Sequence, residues 1–421
     1  MPPDMTADIW DVAVVGAGAA GLMAAGTAAQ NGRRVLLLDR NERPGRKLGI
    51  TGKGRCNLTN NCDRDEFLRN VPRNPRFLYT ALDAFGVEDT MTFFEGLGLP
   101  LVTERGDRVF PVSQRARDVI DALADWCHSG GVTFVQRKVT GLIIEEGRVV
   151  GVRTNAGDIN AATVILATGG MSYPATGSTG LGYTLARQAG HRITELAPSL
   201  VPLCSEDPCC QSMQGLSLKN VGITVTDACE KKTNGAKERK NLHNDFGEML
   251  FTHFGVSGPL ILSASAHLQG HYPCVLHIDL KPALDHQTLD TRLLRDFGAQ
   301  PNKQFRTALS GLLPGAMHPF ISQRSGIPSD RPLHSITREQ RKNLVEVLKD
   351  FSIVLTGPRS IEEAVVTSGG VDVREVSPGT MQSRLVKGIC FAGEILDVDA
   401  YTGGFNLQIA WSTGYVAGMN V

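Results

Sequence analysis

The chain has 421 residues, enough for two or three domains, and its 43 basic side chains balance its 43 acidic ones. A net charge of zero argues against a general nucleic-acid or membrane-surface binder, so the expected partner is a small-molecule substrate. No apolar run approaches the roughly 20 residues that span a bilayer, and the N-terminus lacks signal-peptide features. These features predict a cytoplasmic protein, and they leave its oligomeric state open.

The cysteines and histidines show no ligand pattern. The nine cysteines are scattered without C-x-x-C spacing, so reduced thiols are expected and no metal site is predicted. The adjacent Cys209 and Cys210 allow a vicinal redox pair, with ordinary loop packing as the simpler interpretation.

The first elements have the pattern of a nucleotide-binding unit. An apolar run at 12–15 precedes Gly16, Gly18 and Gly21 in G-x-G-x-x-G spacing, and a helix of small residues and a second apolar run ending on Asp39 follow. Such glycines allow a tight turn, close approach of a pyrophosphate and tight helix packing, and the acid can accept hydrogen bonds from a ribose. The stretch predicts dinucleotide binding. A glycine-rich turn without a ligand would leave the coincidence of these features unexplained.

A basic, glycine-rich loop at 44–61 comes next and holds Arg46, Lys47, Lys53 and Arg55. Cationic side chains and backbone N–H groups among glycines can wrap an anion together. We interpret the loop as part of the cofactor site, the alternative being a solvated basic loop.

The middle of the chain alternates between helical and strand patterns. Residues 63–126 predict mostly helix, with a short ribbon at 101–111. Period-two runs at 131–166 predict a β-meander that returns to a central strand. The glycines in the turn at 167–170 allow backbone to approach the cofactor, and residues 177–190 predict another helix.

The composition changes near residue 191 and changes back near residue 367. Short β-like runs predict a small barrel or sandwich, a helical lobe interrupts it, and Gly403 and Gly404 then open a final helix. The predicted domains are a Rossmann-like domain of residues 1–190 and 367–421, a barrel or sandwich of 191–281 and 351–366, and a helical domain of 282–350.

The second glycine-led helix start favours FAD over NAD as the tightly held cofactor. Its N–H groups and dipole suit the N1–C2=O edge of a flavin ring, where reduction adds negative charge. NAD needs no such second helix.

Six composite motifs then carry a family resemblance: GAGAAGLMAA at 16–25, GRKLGITGKGRCNLTN at 45–60, LATGG at 166–170, FTHFGVSGP at 251–259, VTSGGV at 366–371 and FAGEILDVDAYTGGFNLQIAWSTG at 391–414. Through them the chain resembles the YhiN/BaiN-like FAD-dependent oxidoreductases, a family with aminoacetone-oxidase-like members. The resemblance implies an α/β fold with a Rossmann-like FAD-binding domain split in sequence, an inserted β-barrel domain and a helical lobe.

The resemblance also implies which residues bind FAD tightly and non-covalently. These are Gly16, Gly18, Ala19, Ala20 and Gly21 at the pyrophosphate; Asp39 and Arg40 at the ribose; Arg46, Lys47, Gly54, Arg55, Cys56 and Asn57 along the diphosphate, ribitol and ring; Val139 at the adenine; Ala167, Thr168 and Gly169 near the adenosine; Gly393, Glu394 and Asp397 at the ribitol and pyrophosphate; and Gly404, Phe405 and Asn406 at the ring. Two positions depart from the family: Asp39 replaces the usual Glu, and Lys53 stands where many relatives have Gly.

These inferences predict an FAD-dependent oxidoreductase. Hydride would pass between flavin N5 and a small organic substrate or NAD(P)H, with O2 as one acceptor to test. The substrate would be a small amine or aminoketone for an oxidase, or an unsaturated or steroid-like compound for an NAD(P)H-dependent reductase. A second GxGxxG unit is absent, which suits transient NAD(P)H binding only.

Two side chains and one segment carry open alternatives. His253 is the candidate catalytic residue on the substrate side, with a core or hinge role as the alternative. Cys56 is a flavin-adjacent thiol or a packed loop residue. A different class of function is a non-catalytic FAD-binding module or RNA-modification partner, for which the basic segment 231–240 would bind phosphates unless it is a solvated loop.

Overall fold

The computed structural model describes residues 9–228, 231–233 and 236–421. The side chains at 231–238 lie outside the described residues, and with them most of the basic segment singled out as a phosphate-binding candidate. The chain forms two compact units, Met1–Ser199 with Ser360–Val421, and Leu200–Arg359. The separate helical domain at 282–350 stays a prediction.

The elements follow in chain order. The first part of unit 1 contains β1 (Trp10–Val15), α1 (Ala19–Gln30), β2 (Val35–Asp39), β3 (Thr59–Asn60), α2 (Arg64–Arg69), α3 (Tyr79–Ala84), α4 (Val87–Gly96), β4 (Leu101–Glu104), β5 (Arg108–Pro111), α5 (Ala116–Ser129), β6 (Thr133–Gln136), β7 (Val139–Glu145), β8 (Arg148–Thr154), β9 (Gly157–Leu166), α6 (Leu181–Gln188) and β10 (Ala197–Ser199). Unit 2 contains β11 (Leu203–Cys204), α7 (Pro208–Ser212), β12 (Ser217–Asp227), β13 (Lys231–Thr233), β14 (Ala236–Glu238), β15 (Asn241–Thr252), β16 (Gly255–Ser257), α8 (Pro259–Ser265), β17 (Cys274–Asp279), α9 (His286–Gly298), α10 (Phe305–Leu309), α11 (His318–Ser325), α12 (Arg338–Lys349), β18 (Phe351–Leu355) and β19 (Gly357–Pro358). The return to unit 1 contains β20 (Val366–Ser368), β21 (Ile389–Phe391) and α13 (Phe405–Met419).

Unit 1 is built on a parallel sheet in the order β6-β2-β1-β9, and β21 joins β9 as a further parallel strand. Val12 of β1 lies between Val35 of β2 and Thr163 of β9. The near-continuous apolar runs of β1 and β2 are typical of strands that are covered on both faces. The carboxyl ends of these strands meet at one edge, which is where α/β sheets bind their ligands.

The structure corrects two details of the sequence prediction. The first run of the expected meander, β6, pairs in parallel with β2, and only β7, β8 and β9 form an antiparallel meander. The reason is that α5 precedes β6, and a helical crossover returns the chain in the parallel direction. The helix expected over 177–190 begins only at Leu181, because Gly177 and Gly180 have φ angles of +116° and +77°.

The two glycine-led helices, far apart in sequence, pack against each other. A Cβ atom added at Gly414 of α13 would lie 2.6 Å from the carbonyl oxygen of Ala20 in α1, and one at Gly418 would lie 2.5 Å from that of Ala24. Small residues on both helices therefore allow close backbone contact. The final helix predicted after Gly404 is present, and its N-terminus belongs to the same unit as that of α1.

Unit 2 is an antiparallel sheet in the order β18-β17-β12-β15-β16-β11-β19. The two terminal strands of this order, β18 and β19, are separated in the chain by Thr356 alone, so one stretch of chain pairs with β17 at one end of the order and with β11 at the other, as a closed barrel requires. The Thr356 N–H between them donates to the Cys204 carbonyl oxygen at 2.9 Å. Side chains of α9–α12 share a hydrophobic core with the barrel strands.

None of the helices in the described ranges combines the length and apolar character that crossing a bilayer requires.

Candidate cofactor site

The three glycines after β1 have different surroundings. Gly16 has a φ of +105°, and an added Cβ would lie 2.5 Å from the Ala167 carbonyl oxygen. A Cβ at Gly21 would lie 1.8 Å from the Gly16 carbonyl oxygen, whereas a Cβ at Gly18 would meet no atom within 4 Å. Gly16 and Gly21 therefore serve the packing of the turn. Gly18 leaves open space at the N-terminus of α1, next to Ala19 and Ala20, where a phosphate can approach backbone N–H groups.

Asp39 is held in place by the backbone around it. Its Oδ2 accepts a hydrogen bond from the Ala17 N–H at 2.7 Å, and its Oδ1 accepts one from the Asn41 N–H at 2.7 Å. Each carboxylate oxygen keeps a second lone pair, so the acid can still accept hydrogen bonds from ribose hydroxyls. The adjacent Arg40 is exposed, and Val139 is buried at the start of β7.

The basic loop is fixed to the C-terminal segment by Lys47. Its Nζ donates to Glu394 Oε2 and to Ser172 Oγ, each at 2.6 Å. Glu394 Oε1 also accepts the Thr367 N–H at 2.9 Å. Both charged side chains are about one-fifth exposed, so a ligand can reach this pair.

Arg55 and Cys56 both make contacts within the protein. The Arg55 guanidinium donates to Glu104 at 3.0 Å and to Gln114 at 2.9 Å, and it lies over the Phe110 ring at 4.1 Å. Cys56 is fully buried, and burial raises the pKa of its thiol to about 12. This supports loop packing for Cys56, because a thiol that stays protonated is a poor nucleophile.

Two buried polar atoms at predicted cofactor positions have no hydrogen-bond partner among the described residues. They are Asn57 Oδ1 and Thr168 Oγ1, the second in the turn that follows β9 and leads to Gly169. Buried polar groups in folded proteins are almost always paired. The two unpaired atoms fit a polar ligand such as FAD, and they supply the donor and acceptor types that its ribityl and phosphate groups require.

The C-terminal segment presents Gly393, Glu394 and Asp397 at the end of β21. The Gly393 N–H donates to Thr413 Oγ1 of α13 at 2.9 Å, which fixes this turn to the helix. Asp397 is 5% exposed and forms an ion pair with Arg73.

The start of α13 is shaped by close packing. A Cβ at Gly404 would lie 2.3 Å from the Thr59 carbonyl oxygen, and the Phe405 ring contacts Phe67 edge to face with centroids 5.2 Å apart. The Asn406 side chain accepts from the Ala400 N–H at 3.0 Å and donates to the Ala400 carbonyl at 2.6 Å. Asn406 therefore holds the preceding loop in place through its side chain.

A surface cavity of about 650 Å³ lies between the basic loop and the N-terminal end of α5. Its lining residues include four arginines and one acid: Glu42, Arg43, Pro44, Gly45, Arg46, Gly49, Gly54, Arg115, Arg117 and Ile120. Arg46 also donates to Asn41 Oδ1 at 3.1 Å. Arg115 and Arg117 form ion pairs with Asp118 and Asp121, and the role of the loop in binding an anion stays a prediction.

His253 lies in unit 2, in the turn between β15 and β16. Its side chain is exposed, and its ring contacts Phe254 edge to face at 5.0 Å. A core role for His253 is therefore wrong, while its role on the substrate side stays a prediction. The described residues also contain no group of three or more His, Cys, Asp or Glu side chains arranged for a metal ion.

Three polar residues of this region were missed by the sequence analysis. Ser172 and Thr367 bind Glu394, and Tyr183 carries a buried hydroxyl without a partner in the described chain. Ser172 closely follows the LATGG motif and Thr367 lies within VTSGGV, so the position of both residues in the sequence could have identified them. Nothing in the local sequence marks Tyr183, because its position in a helical pattern predicts only core packing.

The fold of unit 1 and the residues at the carboxyl ends of its parallel strands are those of a Rossmann-type, FAD-binding oxidoreductase. The HI0933-like protein Rossmann domain matches residues 10–420, and the chain belongs to that family. This confirms the family resemblance and the fold inferred from the sequence.

Two relatives match almost the whole chain. The ribosomal RNA dihydrouridine synthase of Escherichia coli is 32% identical over 414 residues, which are 98% of each chain. The 3-dehydro-bile acid delta(4,6)-reductase of Clostridium scindens is 31% identical over 97% of this chain and 98% of its own. The solved 3-ketosteroid delta1-dehydrogenase of Sterolibacterium denitrificans has 14% identity and a TM-score of 0.53 over 97% of this chain and 98% of its own. That structure shows similarity of fold.

Proposed function

We propose that the protein is an FAD-dependent reductase that adds two hydrogen atoms to a C=C bond conjugated with a carbonyl group, with NAD(P)H as the hydride source. The names of the two relatives carry this proposal. Dihydrouridine is uridine whose base has gained two hydrogens, and a delta(4,6)-reductase acts on ring double bonds. Saturation of a C=C bond is the chemistry that the two names share.

The residues of unit 1 support the proposal by the way they would hold the cofactor. When bound, FAD supplies a hydride donor at its N5 atom. The N-terminus of α1 behind Gly18 would bind the pyrophosphate, and Asp39 the ribose. The positive end of the α13 dipole, at Gly404, would stabilise the negative charge of the reduced flavin ring. The protonated Cys56 thiol favours non-covalent binding.

NAD(P)H would bind only transiently. The sequence has no second GxGxxG unit followed by an acid, so a dedicated nicotinamide domain is not expected. The substrate is then either a base within RNA or a free cyclic enone, and the net charge of zero favours the smaller molecule. His253 remains the candidate residue for the substrate side.

The test is anaerobic reduction of the purified, FAD-loaded protein. NADPH or NADH should bleach the flavin absorbance near about 450 nm. A conjugated enone, free uridine and uracil-containing RNA are then added separately, and the effective substrate should restore the colour. The His253→Ala variant is measured with that substrate, and an unchanged kcat/KM would remove His253 from the mechanism.

The other outcomes favour the competing functions. Bleaching by a small amine or aminoketone, followed by rapid reoxidation with O2, would replace the reductase proposal with an oxidase. A flavin that resists the whole panel would favour a non-catalytic FAD-binding module or an RNA-modification partner. Failure of the purified protein to bind FAD would refute the assignment of FAD as its cofactor.

A further inference from the structure

Helix α5 begins near the edge of the unit 1 sheet where the parallel strands end. It leads into β6, which pairs in parallel with β2, so the helix runs opposite to these strands and its last turn lies near their starts. Its first turn is therefore near the carboxyl edge of the sheet, where the turn after β1 also lies. The cavity of about 650 Å³ between the basic loop and this first turn is thus on the side where α/β sheets bind ligands.

The floor of this cavity is joined to the glycine turn after β1. The Gly45 N–H donates to the Ala17 carbonyl oxygen at 2.8 Å. Gly45 also packs on α5, because a Cβ added to it would lie 2.8 Å from Ile120 Cγ1. Of the residues that line the cavity, Arg46 and Gly54 also belong to the predicted FAD contacts, and the others do not. The cavity therefore adjoins the predicted flavin site and has a lining that is largely its own.

Two arginines of the lining remain available to a ligand. The two at the start of α5 are paired with acids of the same helix. Arg43 is exposed and makes no ion pair or hydrogen bond within the described residues. Arg46 donates to the neutral Asn41 side chain and keeps the other N–H donors of its guanidinium. Guanidinium groups without a carboxylate partner suit a phosphate, whose oxygens accept forked pairs of hydrogen bonds.

The rest of the lining favours a nucleotide over a bare phosphate. Glu42 lies in the same cavity, and its carboxylate can accept hydrogen bonds from ribose hydroxyls. The volume is within the range of cavities that hold small organic ligands. RNA would need cations along an extended path, and the chain has no net positive charge. A reduced nicotinamide dinucleotide, in contrast, carries both phosphate and ribose groups and is the hydride donor of the proposed reductase.

We propose that this cavity binds the phosphate groups of NAD(P)H, with Arg43 and Arg46 as the phosphate contacts. The inference rests on the proposed function, and it gives the hydride donor a binding place without a second GxGxxG unit. The phosphate is either the pyrophosphate, which NADH and NADPH share, or the 2′-phosphate, which only NADPH carries. Arg43 sets the affinity for the donor and has no part in hydride transfer.

The test compares Arg43→Gln with the unchanged, FAD-loaded protein. The rate of anaerobic flavin reduction is measured against the concentration of NADPH and of NADH, and calorimetric titration with NADP⁺ measures binding without reduction. Loss of one charge-assisted contact should weaken NADPH and NADP⁺ binding by about tenfold. The reduction rate at saturating NADPH and the affinity for FAD should stay within about twofold, because Arg43 contacts only the donor. An equal loss with NADH would assign Arg43 to the pyrophosphate, and a loss with NADPH alone to the 2′-phosphate.

A matched control is Arg153→Gln. Arg153 is also an exposed arginine of unit 1, but it lies opposite Asp158 near the start of β9, at the other edge of the sheet. This variant should keep full NADPH affinity.

Three results would overturn the proposal. Equal NADPH and NADP⁺ affinities in Arg43→Gln and the unchanged protein would exclude the cavity as the donor site and leave the reductase proposal intact. Weaker binding of uracil-containing RNA by Arg43→Gln, with NADPH binding unchanged, would assign the cavity to RNA. A flavin that neither dinucleotide reduces in the unchanged protein would overturn both the donor site and the NAD(P)H-dependent reductase.

Discussion

At the residue scale, the three glycines of the G-x-G-x-x-G motif have different roles. Gly16 and Gly21 are required by backbone that already surrounds them, since an added Cβ would lie within 2.5 Å of a carbonyl oxygen at either position. Gly18 has extended φ and ψ angles and open space where a side chain would be. The same residue type therefore serves the fold at two positions and leaves room for a ligand at the third.

This difference predicts opposite effects for two valine substitutions. Gly18→Val should cost the apoprotein only about 1 kcal/mol, because valine is a poorer N-cap residue for α1, and should weaken FAD binding by roughly a hundredfold, because the side chain occupies the space that a phosphate would use. Gly21→Val should destabilise the apoprotein by about 3 kcal/mol or more through steric overlap with the Gly16 carbonyl.

Thermal unfolding without FAD and fluorescence titration with FAD measure the two effects. Full FAD affinity in Gly18→Val would refute the phosphate position at α1.

At the element scale, the unit that holds the site is joined by contacts between distant segments. Helices α1 and α13 touch through Gly414 and Gly418, so the first and last helices of the chain form one packed pair. Asp399 connects two further elements. Its Oδ2 accepts from Ser199 of β10 at 2.9 Å, and its Oδ1 accepts from Ser368 of β20 at 3.0 Å.

Asp399 predicts a pH-dependent stability. Burial raises its pKa, and the two serine hydroxyls oppose this only in part, so the native protein holds a proton that the unfolded chain releases. The free energy of unfolding should therefore fall as the pH rises from the ordinary Asp range, near about 4, through the folded-state pKa. Asp399→Asn should remove this slope and stabilise the apoprotein at pH 8 by an amount on the order of 1 kcal/mol.

Asp372→Asn provides a control of opposite sign. Asp372 is also buried, but its hydrogen bonds with the Arg374 side chain lower its pKa. Its stabilisation is present above the ordinary Asp pKa and is lost as the pH falls through the folded-state value, so the amide should destabilise the protein at pH 8. Denaturant unfolding from pH 4 to pH 8 measures both variants. A slope that survives in Asp399→Asn would assign the pH dependence to other groups.

At the scale of the whole molecule, the predicted cofactor-binding residues all belong to unit 1, although they come from both ends of the sequence, and the candidate catalytic residue His253 belongs to unit 2. A ligand that binds these native contacts cannot bind the unfolded chain in the same way. Binding should therefore raise the stability of the folded state with the logarithm of the free ligand concentration.

This linkage predicts a concentration-dependent Tm. FAD at a hundred times its Kd should add about 2.7 kcal/mol to the free energy of unfolding and raise the Tm by several degrees. Scanning the apoprotein at increasing FAD concentrations measures the shift. AMP serves as a control that shares only part of the cofactor, and it should give a smaller shift. A Tm that does not change with FAD would contradict a native-state cofactor site.

The sequence alone determined the elements whose signals are local. The glycine spacing with Asp39, the second glycine-led helix at Gly404 and the period-two runs of the barrel each depend on neighbouring residues, because turns, caps and amphipathic periods are encoded over short distances. The family motifs then added FAD and the split domain; the match over residues 10–420 supports a flavoprotein, and the two segments of unit 1 show the split.

Only the tertiary structure decided which of these residues have partners and which remain unpaired. Lys47 donates to Glu394, which is 347 residues away in sequence, and Arg55 donates to Glu104. Strand β6 pairs with β2 and not with the meander. The unpaired hydroxyl of Tyr183 likewise depends on what surrounds it. Such pairings depend on the geometry of the folded chain, and no local pattern encodes them.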